Sequence, residues 1–154
     1  MATNAPERTE RDITGLLNIA GHAMANRLAA ALDEIDLTPR VQCVLIHALE
    51  ADRTQIQLAA LADLDKTTMV TTIDEMERRG LAERRQSATD RRARIIAVTD
   101  RGRAAAAEGQ RIVDAVHAEA LSALSPASRK AFLEALCTLA DNRDTGPVRR
   151  ARGR

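Results

Sequence analysis

The side chains able to do chemistry in this chain are mainly arginines and threonines, and they are bunched. From Arg78 to Arg103, nine arginines stand against Glu83, Asp90 and Asp100, whereas residues 1–64 carry five arginines against nine acids. The net charge is only +1, so averaging conceals a basic segment on an acidic body. Charge gathered in this way points to a local polyanion contact, with a solvated charged face as the alternative. Just upstream, Lys66, Thr67, Thr68 and Thr71 place one cation and three short hydroxyls in close succession. Those types suit hydrogen bonds to phosphates and base edges, or else a capping turn. Five further arginines stand between Arg143 and Arg154 against Asp144 alone. That tail reads as solvated disorder or as an arm that tracks a polyanion.

Other reactive types are sparse. His22, His47 and His117 show no i,i+4 pair of the kind that builds a helical zinc site, so no metal is expected. Core or interface histidines are the plainer reading. Cys43 and Cys137 are too few for a disulfide framework and read as buried, inert thiols. There is no phosphate-binding glycine loop and no dinucleotide fingerprint. Asp74 and Glu75 are adjacent and so point apart on a helix. An enzyme is therefore not expected, nor is a cofactor. The single aromatic residue, Phe132, leaves base-stacking modes poorly supplied.

The elements that must hold these side chains follow from periodicity and caps. Ile13, Leu16, Leu17, Ala20, Met24, Leu28, Leu32 and Ile35 form one helical stripe. Thr38-Pro39 caps a second helix with Val41, Val44, Leu45, Ala48 and Leu49 inward. Thr54 and Gln57 make a capping box for a short third helix, with Ile56, Leu58, Leu61 and Ala62 inward. Asp65 caps a fourth, closed at Gly80, with Met69, Ile73 and Met76 on its apolar side. Then the period changes. Leu81–Arg85 and Arg94–Val98 read as strands around a polar loop from Gln86 to Ala93. Arg84 and Arg85 alternate there, so one of them faces solvent or phosphate. Thr99 caps a long helix to Leu124, and Ser125-Pro126 opens a last one to about Asn142, with Phe132, Leu133, Leu136 and Leu139 as its face.

Two short helices joined by a tight turn and followed by a hairpin describe a winged helix-turn-helix. The parts match what a DNA duplex asks for. A helix fits the major groove. Short polar groups near its positive N-terminus meet phosphates and base edges. Cations on a hairpin tip, Arg91 and Arg92, suit the negative potential of a narrow minor groove. Asp90 reads as a turn-former within the wing.

The run from Asp65 to Arg85, then Asp90-Arg91-Arg92, then Val98-Thr99 with Gly102, resembles the MarR family of bacterial transcription regulators. The resemblance covers roughly Ile13 to Asn142. It implies a mainly α fold with a small β-hairpin wing, in which flanking helices form an intertwined dimerisation region. The implied layout is a flexible stretch 1–12, one domain 13–142 and a disordered basic tail 143–154. Within that domain the DNA-binding lobe would span about 37–100, and the dimerisation helices about 13–35 and 100–142. The implied partners are a second copy of the chain, a double-stranded, pseudo-palindromic operator and a small-molecule effector. Lys66, Thr67, Thr68, Thr71, Arg84, Arg91 and Arg92 become the candidate DNA contacts, with Asp90 shaping the wing. His22 and His47 become candidates for an effector pocket. Thr71 stands where many members carry a base-reading arginine, which shifts reliance to the wing, phosphates and DNA shape. The peroxide-sensing branch carries a cysteine in its first helix, which is lacking here. The expected activity is repression relieved by the effector. The rival is a winged helix used only for protein interaction or dimerisation. No apolar run is long enough to span a membrane, and Met1–Asp12 lacks a signal-peptide core. The cytoplasm is thus the default location.

Overall fold

The computed structural model describes residues 12–141. The expected flexible start before Asp12 and the basic tail 143–154 lie outside the described residues. Six helices and one antiparallel hairpin follow in the order α1 (Ile13–Asp33), α2 (Pro39–Glu50), α3 (Gln55–Leu61), α4 (Lys66–Arg78), β1 (Ala82–Gln86), β2 (Arg94–Val98), α5 (Asp100–Leu121) and α6 (Pro126–Asp141). The chain divides within α5 into two compact units, one reaching Val116 and the other beginning at His117.

Each helix of the first unit starts where a side chain can satisfy its orphan amides. Thr38 accepts from the Val41 N–H with Pro39 in the first turn, and Asp65 caps α4. Thr54 and Gln57 form a reciprocal capping box on α3. Gly80 ends α4 at φ 67°, where the Leu81 N–H reaches back to the Met76 carbonyl at 2.8 Å. A left-handed residue suits this exit because glycine carries no Cβ to clash. The hairpin registers Ala82 with Val98 and Gln86 with Arg94. Gln86 therefore ends the first strand instead of beginning the loop. An isolated bridge also joins the hairpin: Thr54 pairs with Ile95, and the Ile96 N–H donates to the Arg53 carbonyl at 3.0 Å.

Leu45, Leu58, Met69, Ile73, Met76 and Ile96 are fully buried and form the centre of the core. Helix α3, under two turns long, buries only Leu58. Ile56, expected inward, is 80 % exposed. It lies two residues from Leu58, about 200° round the helix, so the two cannot share a face. Leu61, at the end of the same short helix, is exposed as well.

Helix α5 is seated on the lobe by close contacts. The Thr99 hydroxyl accepts from the Gly102 N–H at 3.0 Å and donates to the Gly80 carbonyl at 2.7 Å. A Cβ at Gly102 would lie 2.0 Å from the Leu81 carbonyl oxygen, and one at Gly109 would lie 2.2 Å from Gln42 Oε1. Buried Gln42 donates from Nε2 to the Ala106 carbonyl at 3.0 Å. Its Oε1 has no hydrogen-bond partner.

Apolar side chains at the two ends of the chain are left uncovered. In α1, Leu32 alone is buried, while Ile13, Leu16 and Leu17 stand exposed. In the second unit α6 buries no residue, and Phe132, Leu133 and Leu139 are exposed. Cys137 is exposed there too, and Cys43 is half-buried. The expectation of two buried thiols therefore fails, because no described residue of its own unit covers α6 and α2 presents Cys43 at the margin of the core. Burial still pushes the Cys43 thiol above its ordinary range, helped by the nearby Glu50 charge. Among the described residues no helix is long and apolar enough to cross a membrane.

Candidate nucleic-acid interface

The first turn of α4 is built around Asp65. Its Oδ1 accepts from the Thr68 N–H at 2.9 Å, and its Oδ2 from the Thr68 hydroxyl at 2.6 Å. Those two bonds, the hydroxyl's above all, hold the Asp65 carboxyl below its ordinary range. Thr68 is thus half-buried and engaged as a capping partner. Lys66 and Thr67 are exposed beside it. Thr71 is exposed, and its hydroxyl donates to the Thr68 carbonyl at 2.9 Å. Thr72 turns inward and donates to the same carbonyl at 2.7 Å. The opposite side of α4 presents Thr67, Thr71, Asp74 and Arg78, all exposed and spaced at helical intervals.

Two arginines tie this helix to its neighbours. Arg79 pairs with Glu75 at 3.2 Å and with Asp36 Oδ2 at 3.0 Å, and also donates to the Asp36 carbonyl. Asp36 has a left-handed backbone at φ 56° in the turn between α1 and α2. Arg84, on β1, pairs with Asp74 at 2.8 Å and with Glu77, and reaches Gln55 of α3 at 3.3 Å. Its own N–H donates to Glu77 Oε1 at 2.8 Å. Arg84, expected among the DNA contacts, is tied to two carboxylates of α4. A guanidinium on this strand face meets two carboxylates of α4, exposed Asp74 and half-buried Glu77.

The wing is held by its own polar groups. Asp90 Oδ1 accepts from the Arg92 N–H at 2.9 Å, the turn bond expected of an aspartate two residues upstream. The Ser87 hydroxyl accepts from the Asp90 N–H at 3.2 Å, and Gln86 Nε2 donates to the Arg91 carbonyl at 2.7 Å. Arg91, Arg92 and Arg94 are exposed, and none of the three enters an ion pair among the described residues. Together with Arg84 and Gln86 they line a cleft of about 360 Å³. The sequence reading overlooked Arg94, although its register opposite Gln86 puts it on the same face.

A second cleft of about 370 Å³ lies under the hairpin, bordered by Leu49, Asp52, Arg85, Ile95, Ala97 and Arg103. Neither His22 nor His47 lines it. His22 is exposed on α1. His47 Nδ1 lies 3.3 Å from Glu50 Oε2, which also accepts from Arg53 at 2.7 Å. Those bonds, from Arg53 first and then His47, hold the Glu50 carboxyl below its ordinary range. Among the described residues no group of three His, Cys, Asp or Glu side chains is placed to hold a metal ion.

Residues 35–93, which run from the turn after α1 through both short helices and β1 to the end of the wing loop, match the model of the MarR family. Solved structures extend the likeness to most of the chain. CouR from Rhodococcus jostii RHA1, bound to p-coumaroyl-CoA, is 29 % identical, with 90 % of this chain and 96 % of that one covered and a TM-score of 0.78. CouR bound to a 23-mer DNA duplex and described as a transcriptional repressor is 28 % identical, over 83 % and 92 %, at 0.76. A MarR-family transcriptional regulator from Rhodococcus sp. RHA1 is 28 % identical, over 87 % and 97 %, at 0.77.

Proposed function

We propose that the chain, similar to the MarR family over residues 35–93, is a MarR-type, sequence-specific regulator of transcription that binds double-stranded DNA. One observation carries the reading: three exposed arginines without ion pairs crown the wing beside a helix whose outward face is polar. Helix α4 enters the major groove with Lys66, Thr67 and Thr71, and Thr68 supports that turn through Asp65. Arg91, Arg92 and Arg94 take the flanking phosphates and minor groove, where negative potential is strongest. Arg84 leaves the set of contacts and becomes the brace between wing and helix. The DNA-bound relative supports this assignment.

The working form in this reading is a homodimer on a pseudo-palindromic operator, with each recognition helix one helical turn of DNA from the other. The uncovered apolar residues of α1 and of α6 support it, since each set needs a partner surface. The dimerisation helices are then 13–35 and 100–142, around a lobe of 37–100, in a cytoplasmic protein. The activity is repression, relieved by a small effector. A relative that holds p-coumaroyl-CoA supports an acidic compound with an apolar body. The cleft under the hairpin, with Arg85 and Arg103 near Leu49 and Ile95, suits such a molecule better than the positions of His22 and His47.

The test is enrichment of genomic DNA fragments on the purified protein, followed by titration of the enriched site at two salt concentrations. A single pseudo-palindrome, bound tightly and weakened by salt, supports the regulator. Binding to no fragment at either salt would give the place to the rival, a winged helix that serves protein interaction alone.

A further inference from the structure

We propose that Ile56 reads thymine, its side chain taking the C5-methyl group of a thymine at the wall of the major groove. The inference rests on the DNA-binding reading and goes further by naming a base-specific residue outside the recognition helix. Ile56 is 80 % exposed, more than any other large hydrophobic residue described, yet it belongs to the helix-turn-helix and not to the uncovered faces of α1 or α6. It borders a cleft of about 290 Å³ with Gln55, Ala59, Lys66 and Met69, where α3 meets the first turn of α4. Apart from Lys66 and Gln55 the walls are carbon and sulfur. The Lys66 ammonium at the rim, next to the positive end of α4, draws a phosphate to the same place. A nucleic-acid strand offers that combination: a negative backbone and, on the major-groove edge, one apolar group, the thymine methyl. A protein partner would need a wider apolar patch than this single residue and its cleft provide. Nothing in the fold requires isoleucine there, since its side chain faces solvent and α3 is anchored through Leu58.

The experiment selects a duplex from a randomised library with the wild-type protein, then replaces each thymine in turn by deoxyuridine, which lacks only the methyl group. For the wild type, one thymine per half-site costs about fourfold in affinity on replacement, the value of burying one methyl group. Ile56→Ala binds the thymine and uracil forms of that position alike. Arg92→Ala binds more weakly but keeps the uracil penalty. An equal penalty in Ile56→Ala, or no thymine with a penalty, overturns the inference and leaves the DNA-binding reading intact. A uniform loss across all sequences in Ile56→Ala also overturns it, marking contact with sugar instead of base. Failure of the wild type to select any sequence overturns the DNA-binding reading, and the inference with it.

Discussion

The recognition helix and the wing are both polar and both face outward, yet they handle charge in opposite ways. In α4, Glu75, Asp74 and Glu77 are matched by Arg79 and Arg84, and the hydroxyls of Thr68, Thr71 and Thr72 turn back to Asp65 or to the helix's own carbonyls. In the wing, hydrogen bonds from Gln86, Ser87 and Asp90 fix only the backbone and leave the guanidiniums of Arg91, Arg92 and Arg94 to solvent. A helix whose carboxylates at 74, 75 and 77 are already matched is foremost a positioned shape. A wing whose charges are unmatched is a source of affinity. In the proposed reading the contrast gives sequence discrimination to the helix and most of the salt-dependent grip to the wing.

Mutations can break or sharpen that contrast. Arg92→Ala should weaken operator binding on the order of a hundredfold in a twofold complex, since each half-site loses a groove contact. Titration measures the loss, and sedimentation should show an unchanged dimer. Unaltered affinity would remove the wing from the mechanism. Thr71→Arg should raise affinity about tenfold for duplexes that offer guanine opposite that position, by adding a bidentate contact to a helix without one. If no duplex gains, α4 does not present Thr71 to base edges. Arg84→Met should cost about tenfold while leaving the salt slope as it was, because it exposes two carboxylates near phosphate and removes no phosphate contact. A slope reduced by about one unit would return Arg84 to the DNA surface. Thr68→Ala should cost only a few-fold overall and alter the ranking among operator variants more than non-specific binding.

The last of these carries a pH signature. Asp65 has a lowered folded value, so its cap stabilises α4 above the ordinary carboxylate range and is lost as pH falls through the lowered value. Without the Thr68 hydroxyl the loss should begin at a higher pH. Helix content followed through an acid titration reads the difference. Identical curves would mean that the Thr68 hydroxyl does not bear on the Asp65 carboxyl.

Much of the fold is legible in the sequence because its signals are local. Thr38-Pro39, the Thr54 and Gln57 pair, Asp65 and Gly80 each mark a helix end through contacts within a few residues, and the structure puts boundaries at those points. The hairpin tip is readable for the same reason, since Asp90 closes its own turn. What the sequence hides depends on distant partners. Arg84 shows as a strand residue with a free face, but its carboxylates stand on a helix packed behind it. The bridge from Thr54 to Ile95 has no periodicity to announce it. Ile56 looks like core because isoleucine usually is, and its angle from Leu58 on α3 puts it outside. Phe132 and Cys137 show how an apolar pattern can be real while no described residue of the same unit covers it.

The seating of α5 has a mechanical consequence. Gly102 and Gly109 lie seven residues apart, two helical turns along one face, and at each the helix backbone meets the lobe with no room for a methyl group. Between them Gln42 clasps the Ala106 carbonyl. A joint held at two points resists swivelling, so a twist delivered to this stretch of α5 is passed to α2 and to the Gly80–Leu81 turn that joins α4 to the hairpin.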